Sequence, residues 1–266
     1  AIHAELADYD YRLYEVAPEK LGEFLKDGEF DGLNVTIPYK KAVIPYCAAL
    51  SPIAQELQSV NVLVRRADGT LYGDNADACG FDAMVKASGI SVEGKKALVL
   101  GSGGASATVC AVLNELRARS VTVISRSGED NYGNLDRHAD AEIIVNTTPV
   151  GMYPNCGVSP VDLRQFPRLA GVLDIVYNPA RTALVMQAET LGIPYMSGLY
   201  MLVAQAKRTA EVFEGHAILG SETERIWKKL GREMQNIVLI GMPGSGKSTH
   251  GTALFNSHFM DITARL

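Results

Sequence analysis

The 266 residues suggest about two domains, and a 47% hydrophobic composition is enough for a substantial core. A net charge of −5 without a concentrated basic run excludes a nucleic-acid-binding face, and no apolar run approaches the ~20 residues that span a bilayer. The four cysteines are widely spaced and the five histidines do not cluster, so we expect no metal site and a reducing, cytoplasmic compartment. The composition favours a soluble enzyme with a small-molecule substrate and leaves the oligomeric state open.

The N-terminal third contains short, mixed elements. The chain starts at Ala1 as if part-way through a unit, so we expect a first strand to be missing. The predicted elements are a helix face at Ile2 and Leu6, a strand at 11–16, a helix at 21–30, an extended run at 32–40, a helix at 40–49, a strand at 62–65 and a helix at 78–88.

A glycine-rich turn between a strand and a helix is the central feature of the chain. Residues 97–100 form a short run that is apolar on both faces, which is typical of a buried parallel strand. Gly101, Gly103 and Gly104 let the backbone approach a pyrophosphate, and a helix from about Ala105 offers free N–H groups. Because Ser106 occupies the third glycine position of GxGxxG, a simple tight turn remains an alternative.

The next strand, 120–125, ends where a dinucleotide fold reads the adenosine ribose. An NAD enzyme usually has an acid there, whereas this chain has Ser125, Arg126 and Ser127. A guanidinium pairs well with a 2′-phosphate, so the sequence predicts NADP(H) as the cofactor. The alternative is a solvated surface arginine.

Further alternation of strands and helices predicts a doubly wound α/β sheet, with strands at 142–146, 171–177 and 193–196 and helices at 182–192 and 199–213. We expect a Rossmann-type NADP-binding domain at 90–197. A smaller, discontinuous α/β substrate domain would comprise 1–89 and 198–232, with the active site in the cleft between the two.

The C-terminal segment has a different character. Residues 236–240 resemble a strand, and 241–248 match GxxxxGK[ST] at every specified position, which predicts a phosphate-binding P-loop. The nucleotide-binding residues are Gly241, Gly244, Gly246, Lys247 and Ser248. Because few residues follow Ser248, we expect only a truncated P-loop kinase start at 233–266, with ATP and Mg²⁺ implied only if a complete kinase follows. A glycine-rich turn is the alternative.

Eight segments together resemble the shikimate dehydrogenase family, over roughly residues 1–232. They are, in chain order, NVTIPYK (34–40), SVN (59–61), GDNAD (73–77), GSGGAS (101–106), SRS (125–127), NTTPVGM (146–152), DIVYNPARTAL (174–184) and GLYMLVAQ (198–205). Alanine at 76 departs from the family's threonine, and the family's Ser-x-Ser segment would precede Ala1. The P-loop segment is similar to the start of shikimate kinase, although Thr263 replaces the second acid of that family's Asp-x-Asp pair.

The resemblance implies NADPH-dependent, reversible reduction of 3-dehydroshikimate to shikimate. A carbonyl that accepts hydride needs a proton donor beside its oxygen, and Lys40 with Asp77 would form the catalytic pair. The implied substrate-binding residues are Thr36, Asn61, Asp77, Tyr177 and Gln205. The implied cofactor-binding residues are Gly101, Ser102, Gly103, Gly104, Ala105, Ser125, Arg126, Ser127, Thr147 and Gly198.

Each of these polar residues also has a structural interpretation. Lys40 would be a solvated lysine, Asp77 a helix N-cap, Asn61 a turn residue and Gln205 a polar residue at the edge of an apolar helix stripe. For the whole chain, the alternatives are a quinate or NAD-dependent dehydrogenase, a non-catalytic metabolite-binding module, or a phosphotransferase resting only on the P-loop.

Overall fold

The computed structural model describes residues 2–234, and the predicted P-loop at 241–248 lies outside them. The helices within the described part are α1 (Ile2–Leu6), α2 (Leu21–Asp27), α3 (Pro52–Leu57), α4 (Ala76–Ser88), α5 (Gly104–Glu115), α6 (Ala183–Thr190), α7 (Leu199–Glu214) and α8 (Gly220–Glu233). The strands are β1 (Gly32–Asn34), β2 (Cys47–Leu50), β3 (Val62–Arg65), β4 (Leu71–Asp74), β5 (Lys96–Leu100), β6 (Ser120–Ile124), β7 (Ile143–Asn146), β8 (Gly171–Asp174) and β9 (Tyr195–Ser197).

A five-stranded parallel sheet has the order β6-β5-β7-β8-β9. The chain passes from β5 through α5 to β6, then returns to place β7 on the other side of β5, so the strand order reverses beside β5. Ala97, Leu98, Val99 and Leu100 are fully buried because helices cover both faces. The predicted α/β fold with a Rossmann-type sheet is confirmed, and its switch point lies at the end of β5.

A second, four-stranded sheet has the order β1-β3-β4-β2. The pairs β1·β3 and β3·β4 are antiparallel, whereas β2 runs parallel to β4. Leu63 and Val60 are fully buried against α2 and α3 in a separate hydrophobic cluster. The strand β3 has the predicted bounds, while β4 and the helix α3 were not predicted.

The helix predicted at 40–49 is wrong. The chain forms turns, a short 3-10 turn at Ile44–Tyr46 and then β2. Pro45 lacks an N–H and its ring clashes with the carbonyl four residues earlier, so an α-helix cannot continue through it. Parallel pairing of β2 with β4 then takes up the backbone hydrogen bonds that a helix would have made.

The strand predicted at 11–16 is also wrong, since these residues are irregular and Leu13 is 92% exposed. Alternating side chains make a strand only where a neighbouring backbone supplies hydrogen bonds, and within residues 2–234 none does so here. This segment lines one wall of a cavity of about 1050 Å³ whose other wall includes edge strand β1 and Thr36. The strand expected before Ala1 stays a prediction.

Candidate active site

Lys40 and Asp77 form the charged centre of the candidate site. Lys40 follows β1 in a turn, and its carbonyl accepts a hydrogen bond from Val60 N at 2.8 Å. Asp77 lies in the first turn of α4. The Lys40 Nζ donates to Asp77 Oδ2 at 2.6 Å, with 29% and 18% of the two side chains exposed. The structure therefore joins the two predicted residues in one ion pair that still reaches solvent.

Two asparagines accept hydrogen bonds from the first backbone N–H groups of α4 and so fix the position of Asp77. Asn75 is the N-cap, because its Oδ1 accepts from Asp77 N at 3.1 Å and from Ala78 N at 3.4 Å. Asn61 Oδ1 accepts from Ala76 N at 2.7 Å. The interpretation of Asp77 as the N-cap is thus wrong, although Asn75 directly before a helical pattern was a readable cap signal.

Asn61 is buried, and its side-chain orientation is set by this contact. Because a backbone N–H must meet the amide oxygen, the NH₂ group points away from Ala76. The NH₂ group makes no hydrogen bond within residues 2–234, so it is available to a ligand. Asn61 is therefore more than a turn residue, since it ties β3 to α4.

Gln205 reaches the site through an unusually close contact of α4 with α7. A Cβ added to Gly80 would lie 2.8 Å from Met201 O and 2.9 Å from Gln205 Cβ. Gly80 is one helical turn beyond Asp77, so Gln205 lies beside the same end of α4. One turn further along α7, Arg208 donates to the buried Asp74 Oδ2 at 2.9 Å and fixes this register. Arg208 was not predicted, since it follows Asp74 by 134 positions.

The glycine turn after β5 has the geometry of a dinucleotide loop. Gly101 has φ +103°, a left-handed conformation that favours glycine, and a Cβ there would lie 2.8 Å from Thr148 Cγ2. Apart from neighbouring backbone, no atom of residues 2–234 lies within 4 Å of a Cβ built on Gly103 or Gly104, so the backbone there is open to a ligand. Ser102 is exposed and Ala105 half-buried, at the N-terminus of α5. Ser106, in place of the third glycine, is buried, and the close helix-to-strand packing tolerates it.

The Ser125–Ser127 segment follows β6 at the same carboxyl edge of the sheet as the glycine turn. Ser125 forms a β-bridge with Asn131, and its N–H donates to Asp130 O at 3.2 Å. Arg126 and Ser127 are exposed. Arg126 has no carboxylate partner in the described part of the chain, so its guanidinium remains open to an anion.

The remaining predicted residues lie around the ends of β7, β8 and β9. Thr147 Oγ1 donates to Leu100 O at 2.7 Å, which holds it against the glycine turn. A Cβ on Gly198 would lie 2.0 Å from Ile175 O, so only glycine allows the chain to pass there into α7. Tyr177 is 43% exposed and Thr36 is exposed, and neither hydroxyl is hydrogen-bonded within residues 2–234. The structure joins neither of them to Lys40 by a direct contact.

The described residues lack the features of two other kinds of site. No group of three or more His, Cys, Asp or Glu in residues 2–234 is arranged to hold a metal ion. Across the same range, no helix has the length and apolarity that crossing a bilayer requires.

A parallel sheet with a glycine turn at its switch point, together with a Lys–Asp pair formed by the turn after β1 and the first turn of α4, defines the class of Rossmann-type dehydrogenases. A sequence model of the shikimate dehydrogenase substrate-binding domain matches residues 1–63. A relative from Oleidesulfovibrio alaskensis, named shikimate dehydrogenase (NADP(+)), is 38% identical over 242 residues, which is 84% of this chain and 80% of its own. The chain therefore belongs to the shikimate dehydrogenase family.

Solved structures agree with this assignment. A chorismate mutase/shikimate 5-dehydrogenase fusion protein from Clostridium acetobutylicum superposes with a TM-score of 0.83 at 31% identity, over 88% of this chain and 93% of its own. A shikimate 5-dehydrogenase from Thermus thermophilus, solved with NADP(H) and shikimate, gives a TM-score of 0.70 at 31% identity, over 80% and 85% of the two chains.

Proposed function

We propose that this protein catalyses the reversible, NADPH-dependent reduction of 3-dehydroshikimate to shikimate. The observation that carries the proposal is the Lys40–Asp77 ion pair, with Nζ and Oδ2 at 2.6 Å. An ammonium and a carboxylate in contact can together hold a carbon-bound oxygen that alternates between ketone and hydroxyl. Membership of the shikimate dehydrogenase family supplies the substrate.

The residues present fit NADPH. The open backbone at Gly103 and Gly104 and the free N-terminus of α5 suit a pyrophosphate. Arg126 and the two flanking serines would hold the 2′-phosphate. No carboxylate in the described part of the chain already pairs with Arg126, so its guanidinium is available to this phosphate. Ser102, Ala105, Thr147 and Gly198 would complete the cofactor site.

NADPH supplies the hydride when bound, and the residues of the chain manage the oxygen and the proton. The Lys40 ammonium would stabilise the negative charge that develops on the oxygen and donate a proton to it. Asp77 would orient both Lys40 and the substrate hydroxyl. Because 29% of the Lys40 side chain is exposed, water can return the proton after turnover.

The ring of the substrate would be held by side chains that have free hydrogen-bonding capacity. Asn61 presents its NH₂ group and Gln205 lies beside α4, while Thr36 and Tyr177 present unbonded hydroxyls. Three or more such contacts fix one orientation of a polyhydroxylated ring, which is what proton transfer at a single oxygen requires.

We assign the division of labour between domains as a proposal. Residues 1–89 and 198–232 would bind the substrate, and 90–197 would bind NADPH. The motif at 241–248 supports a shikimate kinase start at 233–266, in which Gly241, Gly244, Gly246, Lys247 and Ser248 would bind ATP with Mg²⁺ in a complete kinase. The four free cysteines fit a cytoplasmic enzyme.

The decisive experiment measures kcat/KM for 3-dehydroshikimate with NADPH and with NADH, in wild type, Arg126→Ala and Arg168→Ala. Arg168 is also exposed, but it precedes β8 and so lies at the amino-terminal ends of the strands, away from the glycine turn. It is therefore the matched control. A charge-assisted contact to a phosphate contributes about 1.5–3 kcal/mol. Arg126→Ala should therefore lower kcat/KM with NADPH about ten- to hundredfold and leave kcat/KM with NADH unchanged. Preference of the wild type for NADH or for quinate would overturn the proposal.

A further inference from the structure

Asp174, a fully buried carboxyl at the end of β8, has no role in the chemistry above. We propose that Asp174 is a positioning residue that holds the glycine turn, the Thr147 loop and the Tyr177 loop in their reactive arrangement. The proposal rests on the proposed function and assigns this one carboxyl to the part of the site that lies on the β7 and β8 side of the glycine turn, away from Arg126 after β6.

The carboxyl joins three separate parts of the chain. Asp174 lies in register with Asn146 on the neighbouring parallel strand β7. Asn146 Nδ2 donates to Asp174 Oδ1 at 2.9 Å, Val176 N donates to the same oxygen at 3.1 Å, and Thr182 Oγ1 donates to Oδ2 at 2.6 Å. Both oxygens of the buried carboxyl therefore have hydrogen-bond donors, which lie in two loops and at one helix N-cap.

On the β7 side, this contact shapes the loop that packs against the glycine turn. The Asn146 side chain, held by Asp174, accepts from Thr148 N at 3.0 Å and from Thr148 Oγ1 at 2.7 Å through Oδ1. Thr148 Cγ2 and Thr147 Oγ1 lie 2.8 and 3.0 Å from where a Cβ on Gly101 would be. A shift of Asn146 would thus move Thr147 and the glycine turn together.

On the β8 side, Asp174 fixes both ends of the loop that carries Tyr177. Val176 N anchors the start of the loop, and Thr182, the N-cap of α6, anchors its end while accepting from Val185 N at 3.2 Å. Gly198 N donates to Val176 O at 3.1 Å at the entry to α7, the helix that carries Gln205. One carboxyl therefore links Tyr177 to the helix that lies beside the Lys40–Asp77 pair.

The electrostatics support a geometric role. Within residues 2–234 no lysine, arginine or histidine pairs with Asp174, and its three donors are all neutral. Burial raises the pKa of Asp174, against the opposing effect of these hydrogen bonds. A carboxyl without a cationic partner is costly to bury, and here that cost is offset by hydrogen bonds from three buried donors that an apolar residue would leave unpaired.

The test compares wild type with Asp174→Asn. The amide keeps the shape, but its NH₂ group cannot accept the Thr182 hydroxyl proton, and in the flipped orientation it would face the two donors Asn146 Nδ2 and Val176 N. At least one contact is therefore lost, and the loops should move. Displacement on the order of 1 Å costs up to about 10²-fold in rate, and we expect kcat to fall about ten- to hundredfold. NADPH should bind more weakly, whereas 2′,5′-ADP, which occupies only the adenosine end, should bind as in wild type. With NADPH deuterated at the transferred position, the isotope effect on kcat should rise.

Asp162→Asn is the matched control, because Asp162 caps a short turn outside these loops by accepting from Arg164 N at 3.0 Å. It should leave all of these readouts unchanged. Thr182→Ser, which keeps the hydroxyl, should retain wild-type turnover, and Thr182→Val should lose it in the same way as Asp174→Asn. These two variants decide the question if Asp174→Asn does not fold.

Failure of the proposed function and failure of the inference about Asp174 give different results. A wild type that does not turn over 3-dehydroshikimate would overturn the proposed function, while the comparison of NADPH with 2′,5′-ADP binding still tests Asp174. An Asp174→Asn enzyme with lower Tm but wild-type kcat, isotope effect and NADPH affinity would show a purely structural carboxyl and overturn the inference.

Discussion

Lys40 differs from its neighbour Lys41 in what its ammonium contacts. Lys40 Nζ lies 2.6 Å from Asp77 Oδ2, whereas Lys41 is exposed and has no ion-pair partner within residues 2–234. Two adjacent lysines with the same charge therefore have different environments. This contrast allows a mutational test in which net charge changes equally in both variants.

We expect Lys40→Met to lower kcat about 10²- to 10⁴-fold, the range for a positioned proton-transfer group. The interaction strengthens as the substrate oxygen becomes negative, so KM should change less than kcat. Steady-state kinetics with saturating NADPH measure both. Lys41→Met should behave as wild type. If Lys40→Met keeps more than about a tenth of the wild-type kcat, Lys40 is not the proton-transfer group.

Glu142 predicts a pH dependence of stability. The Lys96 backbone N–H, together with Arg119 and Lys95, holds the pKa of the Glu142 carboxyl below its usual value of 4.5. A carboxyl with a lowered folded-state pKa contributes stability above its unfolded pKa, and that contribution is lost as pH falls through the folded-state value. Glu142→Gln should therefore lower Tm at pH 7, and the difference should shrink in acid below 4.5.

Thermal melts of wild type and Glu142→Gln across this pH range measure the effect. Glu93→Gln is the control, because Glu93 is an exposed carboxyl 3.8 Å from Arg117 and such surface pairs contribute little. A Tm difference for Glu142→Gln that is independent of pH would contradict the electrostatic explanation.

Among the helices, α4 and α7 contribute most to the candidate site. Asp77 begins α4, Gln205 lies on α7, and the two helices approach closely because Gly80 has no side chain. The Arg208–Asp74 ion pair ties α7 to the end of β4, two residues before α4 begins. The spacing of Asp77 and Gln205, the two proposed substrate-binding residues on these helices, is therefore a property of helix packing.

We expect Gly80→Ala to force α4 and α7 apart, since its Cβ would meet Met201 O at 2.8 Å. Overpacking of this kind costs about 1–3 kcal/mol in the free energy of unfolding, and KM for 3-dehydroshikimate should rise. Gly231→Ala in α8 is the control, because outside its own helix backbone no atom of the described residues lies within 4 Å of where its Cβ would be. Alanine also favours helix over glycine by about 0.5–1 kcal/mol. Denaturant unfolding and KM values together test the claim, which fails if the two variants behave alike.

Over the whole molecule, the proposed dehydrogenase residues lie between Thr36 and Gln205, well before the P-loop motif. Removing residues 236–266 should therefore leave kcat and KM for 3-dehydroshikimate unchanged. Dehydrogenase kinetics altered by the deletion would contradict this prediction.

Local sequence patterns were sufficient for much of the fold. The buried strand at 97–100, the glycine turn and Arg126 after the next strand are separated by short, regular intervals, so they could be interpreted without tertiary contacts. The local pattern at 40–49 predicts a helix, but Pro45 interrupts it and the chain forms a 3-10 turn and β2 instead. The alternation at 11–16 predicts a strand, because alternation shows which side chains could be buried but not whether a partner strand is present.

The contacts that build the site were decided by the tertiary structure. The sequence identified Lys40 and Asp77 as candidates, but only folding brings their Nζ and Oδ2 to 2.6 Å across 37 positions. Asp174 meets Asn146 across 28 positions because two parallel strands lie in one register, and no local pattern encodes that register. Residue types and short spacings follow from the sequence, whereas contacts between distant residues depend on how sheets and helices pack, which is a property of the whole fold.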